Sequence, residues 1–154
     1  MDVEDLVAQI ARECGARGHT VGAVESLTSG AVSVELGRGD NASEWYRGCV
    51  VAYHLDTKRG LLGLPDDIDP YTPRCAVLLA ESGRRALAAD LCVALTGVGG
   101  PEPVDEHPVG EVQIAVAGRD HTSVSTHHFA GTPQDVIAAS TTAALRSLRD
   151  RLAR

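Results

Sequence analysis

Three short segments of this chain hold side chains that could do chemistry together. In Glu25-Ser26-Leu27-Thr28-Ser29-Gly30, a hydroxyl sits where an apolar stretch hands over to a helical one. A serine at that place can cap the helix, its commonest use there. It can also be a nucleophile whose oxyanion is held by helix N-terminal amides. The flanks are not a G-x-S-x-G elbow, because Val24 and Thr28 stand where the glycines would be. The second segment pairs Tyr53 with Lys58. Of the 14 basic residues, 13 are arginine and Lys58 alone is lysine. Arginine keeps its proton near neutral pH, whereas a desolvated lysine can release it. Lys58 is therefore either a solvated surface lysine or a base for Ser26, and the second role requires burial. Tyr53 is either a core aromatic with a wet hydroxyl or a proton relay. The third segment, Thr96-Gly97-Val98-Gly99-Gly100-Pro101, can cradle an anion through its amides or form a plain turn. It is not G-x-G-x-x-G, since Glu102 takes the place of the last glycine.

The elements that must position these segments can be read from periodicity. Val3, Leu6, Val7, Ile10 and Cys14 recur at helical spacing, and Gly15 or Gly18 closes that helix. Thr20 to Val24 reads as a strand, and Ala31 to Leu36 as a helix that stops near Gly37 to Gly39. Asp40 to Arg47 is a polar connection with room for one helical turn. Gly48 to Tyr53 is a continuous apolar run, which predicts a strand buried on both faces. Asp56 to Leu62 is a short helix closed by Gly63. After a loop at Pro65 to Pro70, Thr72-Pro73 gives an N-cap and first turn for a helix running to about Ala89. Leu91 to Leu95 is a buried strand, and Thr96 to Pro108 is a loop long enough to be functional. Gly110 to Ala117 and Thr122 to Phe129 pair around Gly118-Arg119-Asp120, and Pro133 starts the last helix. The order predicts an α/β chain: one three-layer α/β/α domain over residues 1–154, with a mixed, mostly parallel sheet of about five strands. In such sheets ligands bind beyond the strand carboxyl ends, where all three chemical segments fall.

Composition narrows the function. The net charge of −7 argues against a phosphate-backbone binder, which needs a basic face. The only aromatics, Trp45, Tyr46, Tyr53, Tyr71 and Phe129, are too few for a base-stacking platform. No apolar run approaches the roughly 18 residues of a membrane span, and acidic residues interrupt the N-terminal stretch, so no membrane role and a cytoplasmic setting are expected. Cys14, Cys49, Cys75 and Cys92 form no CxxC pair and read as small core residues. His127 and His128 would point to opposite faces of a strand, so they are not expected to share a metal. Glu102, Asp105, Glu106 and His107 could hold a cation, but a solvated loop is the preferred reading. No metal and no cofactor are expected.

Taken in order, Val24 to Gly30, Val50 to Tyr53 with Lys58-Arg59-Gly60-Leu61-Leu62-Gly63, Ala89-Asp90-Leu91, Thr96 to Pro101 and Pro108-Val109-Gly110 resemble the CinA C-terminal domain family. That family includes the stand-alone nicotinamide-nucleotide amidases of the PncC type. The likeness runs from the first helix to the last. It implies hydrolysis of the carboxamide of nicotinamide mononucleotide, giving nicotinic acid mononucleotide and ammonia. Ser26 would match the nucleophile of the family's A-E-S-C-T-G-G motif, Lys58 the lysine of N-E-A-K, and Tyr53 the preceding tyrosine. Glu25, Thr28, Ser29 and Gly30, with Thr96, Gly97, Gly99 and Gly100, would lie on the substrate side. The oxyanion would be held by amides at the start of the second helix or in the Gly97 loop. The resemblance also implies a pyridine mononucleotide as the small-molecule partner and a homodimer or larger homo-oligomer. The chain departs from the pattern at Leu27, Ser29, His54-Leu55 and Thr72. It also lacks the arginines that often follow the family's Phe-x-Gly, where Thr132-Pro133-Gln134 follows Phe129-Ala130-Gly131 and Ala138 follows Ile137. These departures leave a non-catalytic nucleotide-binding or regulatory protein as the alternative.

Overall fold

The computed structural model describes residues 1–154. Its elements are α1 (Val3–Arg17), β1 (Val21–Glu25), α2 (Ala31–Gly37), α3 (Ala42–Trp45), β2 (Tyr46–Val51), α4 (Leu55–Leu62), α5 (Pro73–Ala86), β3 (Leu91–Gly97), β4 (Glu111–Ala117), β5 (Thr122–His128) and α6 (Pro133–Leu152). Short-range chemistry sets most helix boundaries. The Asp2 carboxylate accepts from Asp5 N at 2.8 Å to start α1. Thr72 caps α5 by accepting from Cys75 N at 3.3 Å, with Pro73 in the first turn. Thr132 and Asp135 form a reciprocal capping box on α6. Gly63, at φ 66°, closes α4 in the left-handed region where glycine carries no Cβ penalty.

The five strands lie in the order β2-β1-β3-β4-β5. β1 pairs in parallel with β2 and β3, whereas β4 is antiparallel to both β3 and β5. Four strands therefore run one way and β4 alone runs the other, the mixed and mostly parallel sheet that the element order predicts. Helices α1, α2, α3 and α6 pack one face around Leu6, Ile10, Leu36, Leu145 and Leu148. Helices α4 and α5 pack the other around Leu62, Leu79, Cys92 and Ala94. Each large aliphatic buried this way contributes about 1.5–3 kcal/mol, so two apolar faces hold three layers without a large aromatic core. No helix is long and apolar enough to cross a membrane.

Three expectations are corrected. The apolar run at Gly48 to Tyr53 is not buried on both faces: β2 is an edge strand, and Val51 is 45% and Tyr53 70% exposed. Apolar character tells that a strand faces a helix but not how many strands flank it. Helix α5 ends at Ala86 rather than near Ala89, because Ala88 turns to φ 51°. Thr96 and Gly97 end β3 instead of opening the following loop. Here β4 presses against β3: a Cβ on Gly97 would stand 2.5 Å from the Glu111 carbonyl oxygen, so only glycine fits.

Because β2, β1 and β3 are adjacent and parallel, their carboxyl ends open on one edge of the sheet. β1 is in the middle, so Ser26 emerges between Tyr53, just past β2, and Gly97 at the end of β3.

Candidate active site

The turn after β1 is built around a buried carboxylate. Glu25 has no exposed surface. Its Oε1 accepts from Thr28 Oγ1 at 2.6 Å, Gly30 N at 3.2 Å and Val32 N at 3.0 Å. Its Oε2 accepts from Ser33 N at 2.9 Å and Cys49 Sγ at 3.3 Å. A negative charge at a helix N-terminus, answering otherwise unpaired amides, is favourable on both dipole and hydrogen-bond grounds. Glu25 thus does the capping that Ser26 might have done, while Gly30 holds the N-cap position at φ 107°. The carboxylate also pushes the neighbouring Cys49 thiol up, after burial, which is the larger cause.

The structure also places the other expected site residues. The Glu25 carboxylate accepts from the Thr28 hydroxyl and from the amides that open α2. Thr96 is fully buried and donates to the Pro70 carbonyl oxygen at 2.5 Å, tying β3 to the loop before α5. The amides of Gly30, Val32 and Ser33 are occupied by Glu25, so the start of α2 cannot hold an oxyanion through them. Ser29 is exposed and sits at φ 52°.

Ser26, freed from capping, lines a cavity of about 130 Å³ together with Tyr53, Lys58, Tyr71 and the Gly97-Val98-Gly99-Gly100 strand end. The segments separated in sequence do converge. Lys58, one turn into α4, is 3% exposed and joins no salt bridge, so it is not a solvated surface lysine. Burial lowers its pKa below the ordinary lysine value, the requirement for a base. Cys75, on α5, lies close enough to interact with it, and burial raises that thiol to about 11 against the pull of the amine. Burial thus disfavours the charged form of both the amine and the thiol. No hydrogen bond joins Ser26 Oγ to Lys58 Nζ; such contacts often tighten only with substrate in place. Tyr53 lines the mouth and is not a core residue.

The backbone N–H groups of Ser26, Leu27, Thr28, Gly99 and Gly100 donate to no acceptor within the protein. Leu27 and Gly99 adjoin, since a Cβ on Gly99 would lie 3.8 Å from Leu27 Cβ. These two turns, rather than the helix start, offer oxyanion donors beside the hydroxyl. Ligand pockets usually measure about 300–1,000 Å³. A cavity of about 130 Å³ has room for only a small group. A larger basin of about 620 Å³ lies by His19 and Arg151, away from the strand carboxyl ends, with no hydroxyl and amine pair.

Sequence reasoning missed the wall of this pocket. Tyr71 lines it, and its ring centroid lies 5.5 Å from that of His107. His107 is clamped by two carboxylates, Nε2 to Asp69 Oδ2 at 2.8 Å and Nδ1 to Glu111 Oε2 at 3.1 Å. The Asp69 hydrogen bond, ahead of that from Glu111, raises the pKa of His107. For Asp69, burial would raise the pKa, but His107 and the Tyr71 amide bring it below the usual carboxylate range. The clamp pins the Gly-rich loop to the loop before α5. The loop acids do not gather a metal-type cluster with His107. A hint was present in Asp69-Pro70-Tyr71-Thr72, where Asp69 Oδ1 accepts from Tyr71 N at 2.9 Å in an Asx turn. The pairing with His107, 38 positions away, left no local trace.

Comparison with known proteins bears on family and fold. The family described as the CinA C-terminal domain matches residues 3–152. A competence-damage inducible protein of Bacillus subtilis strain 168 is 32% identical over 134 residues, covering 84% of this chain and 32% of the relative. One from Geobacillus kaustophilus is 37% identical over 125 residues, covering 77% of this chain and 30% of the relative. The chain thus spans about a third of the length of the curated relatives it matches. Among solved structures, the competence damage-inducible protein A of Klebsiella pneumoniae superposes with a TM-score of 0.96 at 26% identity. It covers 100% of this chain and 99% of that one. A competence or damage-inducible protein from Enterobacter asburiae gives 0.95 at 27%, covering 99% of each.

Proposed function

The chain belongs to the CinA C-terminal domain family, and on that premise we infer that it is a serine-lysine amidohydrolase acting on the carboxamide of nicotinamide mononucleotide. The observation that carries the reading is the buried, uncompensated Lys58 amine lining the same small cavity as the Ser26 hydroxyl. Neutral Lys58 takes the Ser26 proton as Oγ attacks the carboxamide carbon. The developing oxyanion is held by amides of Leu27 and the Gly99-Gly100 turn. The C–N bond then breaks, the nitrogen leaves as ammonia with the proton returned from Lys58, and the acyl group stays on Oγ. Water, deprotonated by the same amine, releases the carboxylic acid and regenerates the hydroxyl. Tyr53, at the mouth, lies where the substrate's ribose-bearing side would pass and can hydrogen-bond or relay a proton there. No step calls on a cofactor or a metal.

A second reading, a nucleotide-binding protein without turnover, is favoured by one observation: Ser26 and Lys58 share the cavity without bonding to each other. Ammonia release from nicotinamide mononucleotide by the wild-type chain, lost in Ser26→Ala and in Lys58→Met, supports the enzyme. Calorimetric binding of that nucleotide with no ammonia released supports the second reading. No arginine lines the pocket, so nicotinamide riboside belongs in the same assay. Equal turnover of riboside and mononucleotide would show that the phosphate is not read.

A further inference from the structure

The strands β1 and β3 begin at Val21 and Leu91, at the end of the sheet opposite Ser26. There the close of α1, the turn between β4 and β5 and the last turn of α6 surround the basin of about 620 Å³. That volume falls within the range of small-molecule sites, about 300–1,000 Å³. No step of the proposed hydrolysis uses it. Arg17, Arg119, Arg151 and Arg154 line it, four of the 13 arginines in a chain of net charge −7. Asp90 and Asp120 are the only acidic residues in the lining. Two of the arginines are already answered: Arg17 pairs with Glu13 at 3.2 Å, and Arg119 Nη2 lies 3.7 Å from Asp90 Oδ1. Arg151 and Arg154 have no carboxylate within 4 Å.

A cation at a helix C-terminus commonly answers the helix dipole. Arg151 does something else. Its Nη2 donates to the carbonyl oxygen of His121 at 2.7 Å, 30 residues away, rather than to a carbonyl of α6. Gly118 leaves the space, since a Cβ there would stand 2.6 Å from Arg151 Nη2. Arg151 Nη1 has no acceptor in the protein. Burial lowers the pKa of Arg151 and the nearby Arg154 lowers it further, against the pull of Asp120. The fold thus fixes one guanidinium over the β4–β5 turn, beside a second cation, and sets no carboxylate against either. An anion bridging the two would relieve their repulsion through charge-assisted hydrogen bonds, the stronger kind. Arginine can only donate, so its 3.3 Å contact makes His121 Nδ1 an acceptor and leaves the imidazole N–H on Nε2. The carboxylates tell what else the ligand carries. Asp90 Oδ2 is taken by Thr20 N at 2.8 Å and Thr20 Oγ1 at 3.1 Å, whereas nothing in the protein donates to the Asp120 side chain. A free carboxylate beside free guanidinium groups suits a molecule with hydroxyls as well as an anionic end.

We propose that this basin is a second ligand site, for a phosphorylated sugar, free or within a nucleotide, whose phosphate bridges Arg151 and Arg154 and whose hydroxyls donate to Asp120. Inorganic phosphate would use the guanidinium groups alone and would meet Asp120 as a repelling charge, so it binds more weakly. An uncharged nucleoside would leave both cations unanswered.

Nuclear magnetic resonance of the imidazole C–H groups of the full chain tests this, at about 0.15 M salt so that loose surface pairing is screened. His19 and His121 line the basin, whereas His54, His107, His127 and His128 do not. The probes are ribose phosphate, uridine monophosphate, uridine and inorganic phosphate. Ribose phosphate is expected to shift His19 and His121 to saturation and to leave the other four unmoved. Uridine monophosphate doing the same assigns the site to nucleotides as well; its failure confines the site to the free sugar phosphate. Arg154→Gln, an exposed change that spares the fold, should weaken binding about tenfold or more, as loss of a charged hydrogen bond does. Arg151→Lys keeps the charge but loses the fork, and should weaken it too. Asp120→Ala should weaken ribose phosphate and not inorganic phosphate. The proposal is overturned if neither phosphorylated probe moves His19 and His121 saturably. It is also overturned if uridine or inorganic phosphate binds as tightly as they do, or if Arg154→Gln and Arg151→Lys both bind like the wild type.

Discussion

Replacing Glu25 by glutamine should unsettle the fold rather than the substrate contact. The carboxylate is fully buried and accepts from three amides, one hydroxyl and one thiol. In Glu25→Gln, one oxygen remains as an acceptor and the other becomes an NH₂ group. If the acceptor stays with Thr28, Gly30 and Val32, the new amide nitrogen meets the Ser33 N–H, donor against donor. A buried donor left without an acceptor costs about 1–3 kcal/mol, and each charge-assisted bond made neutral loses roughly 0.5–1 kcal/mol. Relief from holding a charge out of water offsets part of that. A net loss of about 3 kcal/mol results, a large share of the 5–15 kcal/mol typical of a domain. With a urea m-value of about 2 kcal/mol/M, the midpoint should fall by roughly 1.5 M, and the melting temperature by about 6–12 °C. The residual folded protein should keep its KM for the proposed substrate. The assay is urea unfolding followed by fluorescence of Trp45, beside initial rates below the transition. An unchanged midpoint with a raised KM would refute the reasoning, and would return Glu25 to the substrate side.

Four other outcomes follow. Lys58→Arg should lower kcat by about 10²–10⁴ fold, the usual contribution of a general base, because arginine cannot take the Ser26 proton; ammonia release checks this. Lys58 also links stability to pH. With the folded pKa depressed by burial, the unfolded chain binds the extra proton, so stability should rise with pH from the depressed value up to the ordinary 10.5. Urea midpoints across that range should show the slope in wild type and lose it in Lys58→Met. His107 carries the opposite sign: its pKa is raised by Asp69 and Glu111, so its contribution is present below its ordinary 6.5 and fades as pH rises through the folded value. The pH dependence of KM should flatten in His107→Gln if the clamp holds the pocket wall. Ser29→Gly should stabilise by about 0.5 kcal/mol, as release of left-handed strain at φ 52° outweighs the entropy of glycine in the unfolded chain; a loss above 1 kcal/mol in thermal unfolding would contradict it.

Much of the scaffold was legible because its determinants are local. The 3.6-residue recurrence of Leu6, Ile10 and Cys14, the Thr72-Pro73 start and the glycine at position 63 each act within one or two turns. The alternation of elements was enough to imply a three-layer domain with one antiparallel strand. The candidate chemistry was legible for another reason. A single lysine among arginines and a serine at a strand-to-helix turn stand out by type, whatever surrounds them.

Tertiary structure decided what those residues face. Whether Lys58 is solvated or buried depends on α5 packing against α4, and no local pattern records that. The Glu25 carboxylate lies beneath the amides of α2, a partnership no local pattern announces. Tyr53 left the core because it lies past the end of β2, at the mouth of the pocket. The His107 clamp joins two loops through contacts that only the folded sheet brings together. Sequence by itself determined the elements and the reactive groups, since propensity, capping and side-chain type act within a few residues. Burial, charge state and partnership belong to pairs of segments far apart along the chain, and only the packed structure could assign them.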